Sequence, residues 1–161
     1  MCGIAGYFGN SKDELEHLKK YGIDSIKHRG PDSHGIMHWK DQNCLFLHTR
    51  LAIRDLSQTG AQPMTSKDGR YTIVYNGELY NTETVKEKFL GSKYSLRGSA
   101  DTEVILESFA MHGIKILKDL NGIFAFAIRD NLSNQIYLFR DPMGVKPLYY
   151  IYKNNNFAFS S

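Results

Sequence analysis

Only two cysteines occur in the 161 residues, Cys2 and Cys44. One pair cannot build a disulfide framework, and in an intracellular chain both thiols are expected to stay reduced. No apolar stretch approaches the about 20 residues that a membrane span needs. The first residues lack a charged segment followed by an apolar one, so no signal peptide is expected and the expected location is cytoplasmic. The basic excess is small, a formal charge of +3. No Lys/Arg-dense run occurs, Lys19-Lys20 being the nearest, so neither nucleic acid nor an anionic membrane is an expected partner. The six histidines are scattered and form no convincing set of zinc ligands with one another or with Cys, so no metal site is expected. There is no P-loop, and the Gly6/Gly9 pair falls short of the dinucleotide fingerprint. Repeats, low-complexity tracts and linker-like stretches are also lacking.

What remains is an ordinary globular composition, 42% apolar and 23% charged, long enough for one domain over residues 1–161 with a sizeable core. Ile4 to Phe8, closed by Gly9-Asn10, reads as a buried strand. Ser11-x-x-Glu14 is a capping-box pattern before a helix carrying Leu15, Leu18 and Ile26, which should end before Gly30-Pro31. Gly35–Trp39 and Cys44–His48 read as strands joined by a polar turn. Tyr71–Tyr75 is a strand ending at Asn76-Gly77. Asn81 caps a short helix through Leu90, and a second helix runs from about Thr102 to His112. The last third changes period: 122–129, 135–139, 147–152 and 157–159 are strand-like with polar turns between. Strands at both ends with helices between them indicate an α+β layered fold, two antiparallel sheets with helices packed outside.

Cys2 is distinguished by its position. Removal of Met1 would leave its thiol and its α-amine on one residue. Unperturbed pKa values are about 8.5 for a thiol and about 7.7–8.0 for an α-amine. A neutral amine can then take the thiol proton, supplying nucleophile and base without a histidine. While Met1 is attached that nitrogen is an amide, so the chain carrying Met1 is expected to be inactive. Cys44, in the apolar run Cys44-Leu45-Phe46-Leu47, reads as a buried core thiol. Asn76-Gly77 is on its own the strongest hairpin-turn signal; its functional reading is an oxyanion hole made of the Asn76 side-chain amide and the Gly77 N–H. Arg50 is a surface charge or a planar fork for an α-carboxylate. Asp101 is a helix N-cap, an acceptor for an α-ammonium, or both. Glu78 is a solvated carboxylate or a second group at that ammonium. His28, Arg29 and Asp32 read as a polar turn around Gly30-Pro31.

Taken together, ordered segments are similar to a known family. Met1-Cys2-Gly3-Ile4-Ala5-Gly6 resembles the start of class II glutamine amidotransferases. His28-Arg29-Gly30-Pro31-Asp32 resembles their asparagine synthetase branch. So do His48-Thr49-Arg50-Leu51-Ala52-Ile53, Asp55-Leu56-Ser57 and Gly60-Ala61-Gln62-Pro63. Tyr75-Asn76-Gly77-Glu78-Leu79-Tyr80-Asn81, Asp101-Thr102-Glu103-Val104-Ile105, residues 122–127 and the run from Arg140 to Tyr150 complete the series, across essentially the whole chain. The resemblance implies a four-layer αββα sandwich, the N-terminal nucleophile hydrolase fold. It implies Cys2 as nucleophile, Asn76 and Gly77 as oxyanion donors, and Arg50, Leu51, Ile53, Glu78 and Asp101 as the glutamine clamp.

The implied activity is hydrolysis of glutamine to glutamate and ammonia, the ammonia serving amidation of aspartate to asparagine. No cofactor is implied for this domain. ATP and Mg belong to a larger C-terminal synthetase domain, expected as a partner because asparagine synthetases continue into one where this sequence stops. A piece of a longer protein is therefore expected, with a free-standing domain as the alternative. A homodimer is compatible with the family. Two rivals stand beside this reading: a non-catalytic binding or assembly module of the same fold, and an amidotransferase acting on a sugar or another acceptor.

Overall fold

The computed structural model describes residues 1–52 and 58–161. The expected clamp residue Ile53 and the Asp55-Leu56-Ser57 segment lie outside the described residues. The chain forms two antiparallel sheets. The first holds β1 (Gly3–Phe8), β2 (Ser33–Trp39), β3 (Cys44–Arg50), β8 (Tyr149–Lys153) and β9 (Asn156–Ser160), in the order β2-β3-β1-β9-β8. The second holds β4 (Met64–Thr65), β5 (Tyr71–Leu79), β6 (Gly122–Asp130) and β7 (Ile136–Arg140), in sequence order. Between β3 and β6 lie α2 (Thr82–Phe89) and α3 (Asp101–His112), while α1 (Lys12–Ile26) joins β1 to β2.

Alternation along the strands divides the core into three layers. Leu45 and Leu47 on β3 face Leu15 and Ile26 of α1. Their neighbours Cys44 and Phe46 point the other way, to meet Val74, Ala125 and Ala127 of the second sheet. Ile73 and Tyr75 face outward onto Val104, Ile105 and Phe109 of α3. Helix, sheet, sheet and helices are thus stacked in order, the αββα sandwich expected. Cys44 is fully buried as anticipated, and burial pushes its thiol up to about 11. Among the described residues no helix is long and apolar enough to cross a membrane.

Local signals account for many boundaries. The Ser11 side chain accepts from Glu14 N–H at 3.2 Å and opens α1. Asn154 and Asn155 both take positive φ, 52° and 60°, so the β8–β9 hairpin turns on two left-handed residues, which Asn tolerates well. Three expectations need correction. Asn76-Gly77 does not end a strand: β5 continues to Leu79, with Asn76 opposite Ala125 and Gly77 opposite Phe124 on β6. A Cβ on Gly77 would lie 2.4 Å from the Ile123 carbonyl oxygen. Glycine is there for close strand approach, not for a turn. Asn81 sits at the N-cap of α2 but its side chain makes no capping bond. It donates instead to the Asp119 carbonyl at 2.8 Å and accepts from Asn121 N–H at 3.0 Å, tying α2 to the chain before β6. Asp101 is the first residue inside α3, Ala100 being the N-cap.

Candidate active site

One end of the sandwich gathers residues far apart in sequence around a small cavity of about 150 Å³. Cys2 enters from the start of β1 and Arg50 from the end of β3, with Leu51 just beyond it. Asn76, Gly77 and Glu78 line it from the second half of β5, and Asp101 from the first turn of α3. Every expected site residue within the described chain therefore reaches the same cavity.

The Cys2 sulfur is held against the strand end. Leu51 N–H donates to it at 3.4 Å, and the thiol points back at the Leu51 carbonyl at 3.8 Å. The Arg29 Nε donates to the Cys2 carbonyl at 3.2 Å, so the residue read as part of a polar turn in fact fixes the Cys2 backbone. Asp32 adds to the same support, its carboxylate accepting from Ala52 N–H at 2.8 Å.

Asn76 alternates to the side of β5 shared by Val74, between the sheets, and is only 1% exposed. One of its amide hydrogens reaches the Ser161 hydroxyl at a long 3.5 Å. An amide nitrogen carries two donors, so a further acceptor in the cavity can be served. Asp101 is buried and its carboxylate is oriented by three donors. Oδ2 accepts from the Tyr75 hydroxyl and from Leu79 N–H, both at 2.9 Å, and Oδ1 accepts from Thr102 N–H at 3.0 Å. A carboxylate at the first turn of a helix is also favoured by the helix dipole.

Tyr75, Gln62 and Lys146 were not singled out from the sequence. Gln62 accepts from Tyr75 N–H at 2.6 Å and donates to the Thr102 hydroxyl at 3.2 Å, bracing β5 against α3. Lys146 sits in the loop between β7 and β8 and lines the cavity beside Met1. The loop is organised by Asp141, whose carboxylate accepts from the N–H groups of Phe124, Val145 and Lys146. Burial opposes ionisation of Asp141, but those three backbone donors outweigh it and hold the carboxyl below its ordinary value. The sequence signals for this loop were the polar turn at Asp141-Pro142 and the Arg140-to-Tyr150 run, which carried resemblance but no assigned role.

A thiol next to the chain start, a side-chain amide on the facing sheet, an arginine and an aspartate line one cavity of a four-layer sandwich, the arrangement that the sequence resemblance implied for an amidotransferase domain. A family model described as the glutamine amidotransferase domain matches residues 1–161, and the chain belongs to that family. Within it the similarity is to the asparagine synthetase branch. Asparagine synthetase [glutamine-hydrolyzing] 3 of Bacillus subtilis (strain 168) is 38% identical over 100% of this chain and 26% of its own length. A putative asparagine synthetase [glutamine-hydrolyzing] 2 of Methanocaldococcus jannaschii is 40% identical over 100% of this chain and 34% of its own. The chain thus spans about a quarter to a third of these curated relatives. Among solved structures, the glutamine phosphoribosylpyrophosphate amidotransferase from B. subtilis superposes with a TM-score of 0.77 over 99% of this chain and 41% of that one. At 22% identity that likeness speaks for the fold.

Proposed function

We propose that this domain hydrolyses glutamine through Cys2 and that the ammonia feeds an ATP- and Mg-dependent amidation of aspartate in a following synthetase domain. The observation that carries the reading is the convergence of the Cys2 thiol, Asn76, Gly77, Arg50, Glu78 and Asp101 on one small cavity. With Met1 removed, the Cys2 thiol gives its proton to its own α-amine and the sulfur attacks the side-chain amide carbon of glutamine. The tetrahedral oxyanion is met by the Asn76 amide and the Gly77 N–H, donors of a kind worth about 10²–10³ in rate each. The intermediate collapses, the C–N bond breaks, and the amine's proton leaves with ammonia. Water then attacks the γ-glutamyl thioester, again with the amine as base, releasing glutamate and the thiol. Arg50 holds the substrate α-carboxylate, and Asp101 with Glu78 the α-ammonium, so that binding at one end positions the carboxamide at the other.

The test is glutamate release by Met1-free protein. Wild type should turn over, while Cys2→Ala should keep the wild-type thermal unfolding curve and release none. Undiminished glutamate release by Cys2→Ala would reject the assignment. Aspartate as acceptor rests on the relatives' names. A second reading, an acceptor other than aspartate, is prompted by one relative whose name is not that of an asparagine synthetase: the amidase chry2 of Gibberella zeae is 33% identical over 96% of this chain and 25% of its own length. Assaying the longer protein with aspartate, ATP and glutamine separates the two.

A further inference from the structure

The mechanism above makes no use of Lys146, yet this side chain lies on the wall of the same cavity as Cys2 and Asn76. It is 8% exposed. Lysine is almost never so buried without an ionic partner. Among the described residues the ammonium has no carboxylate within ion-pairing distance. Its polar contact is the Met1 thioether, 3.0 Å away, and a thioether is only a weak acceptor. The backbone that carries it is fixed on both sides. Lys146 N–H donates to Asp141 at 3.0 Å, and its carbonyl accepts from Arg140 Nε at 2.7 Å. A pinned loop therefore directs a cation at the residue preceding Cys2.

We infer that Lys146 is a positioning residue for the base of the proposed reaction, its ammonium holding the Cys2 α-amine in the unprotonated form once Met1 is gone. The inference rests on the glutaminase reading. A cation disfavours a second positive charge nearby, whereas carboxylates favour one. The charges around the new amine come from several elements. Glu78 on β5 and Asp101 on α3 line the cavity and pull toward protonation. Asp32 faces the strand end at Ala52, and Asp141 lies beneath the Lys146 backbone. Arg29 is at the Cys2 carbonyl and Arg50 on the cavity wall at the end of β3. Arg29 meets Cys2 at its carbonyl and is not part of the cavity lining, whereas Lys146 reaches the Met1 side chain from the cavity wall, so it is a cation on the Met1 side of Cys2 that shares the cavity with the two carboxylates.

The experiment is the pH profile of kcat/KM for glutamine in Met1-free protein. Lys146→Gln removes the charge and keeps a polar side chain. It should move the acid limb up by about one pH unit, the scale of a single nearby charge, while Lys146→Arg leaves the limb where wild type has it. A Lys146→Gln limb coincident with wild type, at measurable activity, overturns the inference and leaves glutamine hydrolysis standing. Absence of glutamate release by Met1-free wild type at every pH overturns both. A measurement independent of activity is nitrogen NMR of cysteine-labelled, Met1-free protein. An α-amine midpoint at or above the ordinary value of about 7.7 refutes the assignment, and one below it that rises in Lys146→Gln supports it.

Discussion

His48 should make the fold acid-sensitive in a window well above that of its carboxylates. The ring lies on β3 and is 1% exposed. Its Nε2 has no partner among the described residues. Burial is the main reason its proton affinity drops from 6.5 to about 4; a hydrogen bond to the Tyr75 backbone opposes this, and the Arg50 charge adds to it. The folded state therefore keeps His48 neutral, while the unfolded state binds a proton below about 6.5. Stability from this group is complete above pH 6.5 and declines as pH falls toward 4. At 1.36 kcal/mol per decade, the full span amounts to about 3 kcal/mol, and the loss between pH 7.5 and pH 5 to about 2 kcal/mol. Against a total of about 5–15 kcal/mol, that is a large effect. With a urea m-value of about 2 kcal/mol/M, it lowers the midpoint by about 1 M. The assay is urea unfolding at pH 7.5, 6 and 5 for wild type and His48→Leu, the leucine matching the apolar neighbours Ile4 and Phe46. The half-buried His38 has its affinity lowered in the same sense, so the quantity read is the difference between the two proteins. A pH slope in His48→Leu equal to that of wild type would refute the reasoning. Asp130 titrates lower, held to about 2 chiefly by its hydrogen bonds with Arg70. Its contribution is present above about 3.8 and is lost only as pH falls toward 2, outside this window.

Two further outcomes follow from packing. Gly77→Ala places a methyl group 2.4 Å from the Ile123 carbonyl, inside the β5–β6 pairing, and should destabilise by about 1–3 kcal/mol; chemical unfolding at neutral pH reads this, and wild-type stability would mean that the strands separate without strain. Arg97→Ala removes the 2.8 Å ion pair to the fully buried Glu103 carboxylate. Because the arginine is 41% exposed and Glu103 keeps its backbone donors Arg97 N–H and Gly98 N–H, the expected loss is about 1 kcal/mol, read as a melting point a few degrees lower.

Much of the chain was legible residue by residue, because the deciding interactions are local. The Ser11 cap, the alternation that splits Leu45 and Leu47 from Cys44 and Phe46, and the two left-handed asparagines before β9 each concern a few neighbouring residues. Cys2 was singled out for a different reason: the chemistry proposed for it comes from its position in the chain. Arg50, Glu78 and Asp101 could be named from motifs, but with local readings beside the functional ones. Two of the wrong expectations share a cause. Asn76-Gly77 has the local chemistry of a turn and Asn81 that of a cap, and strand pairing or a distant carbonyl outbid both.

The sequence by itself determined the layers, since side-chain period and turn residues act over a few bonds and need no knowledge of the rest of the chain. Only the tertiary structure decided which residues meet. Pairing of β5 with β6 put Asn76 between the sheets, Tyr75 brought Asp101 into its final orientation, and a loop 144 residues beyond Cys2 carried Lys146 to the chain start. Such contacts depend on burial and hydrogen bonding between segments far apart in sequence, and no local pattern encodes them.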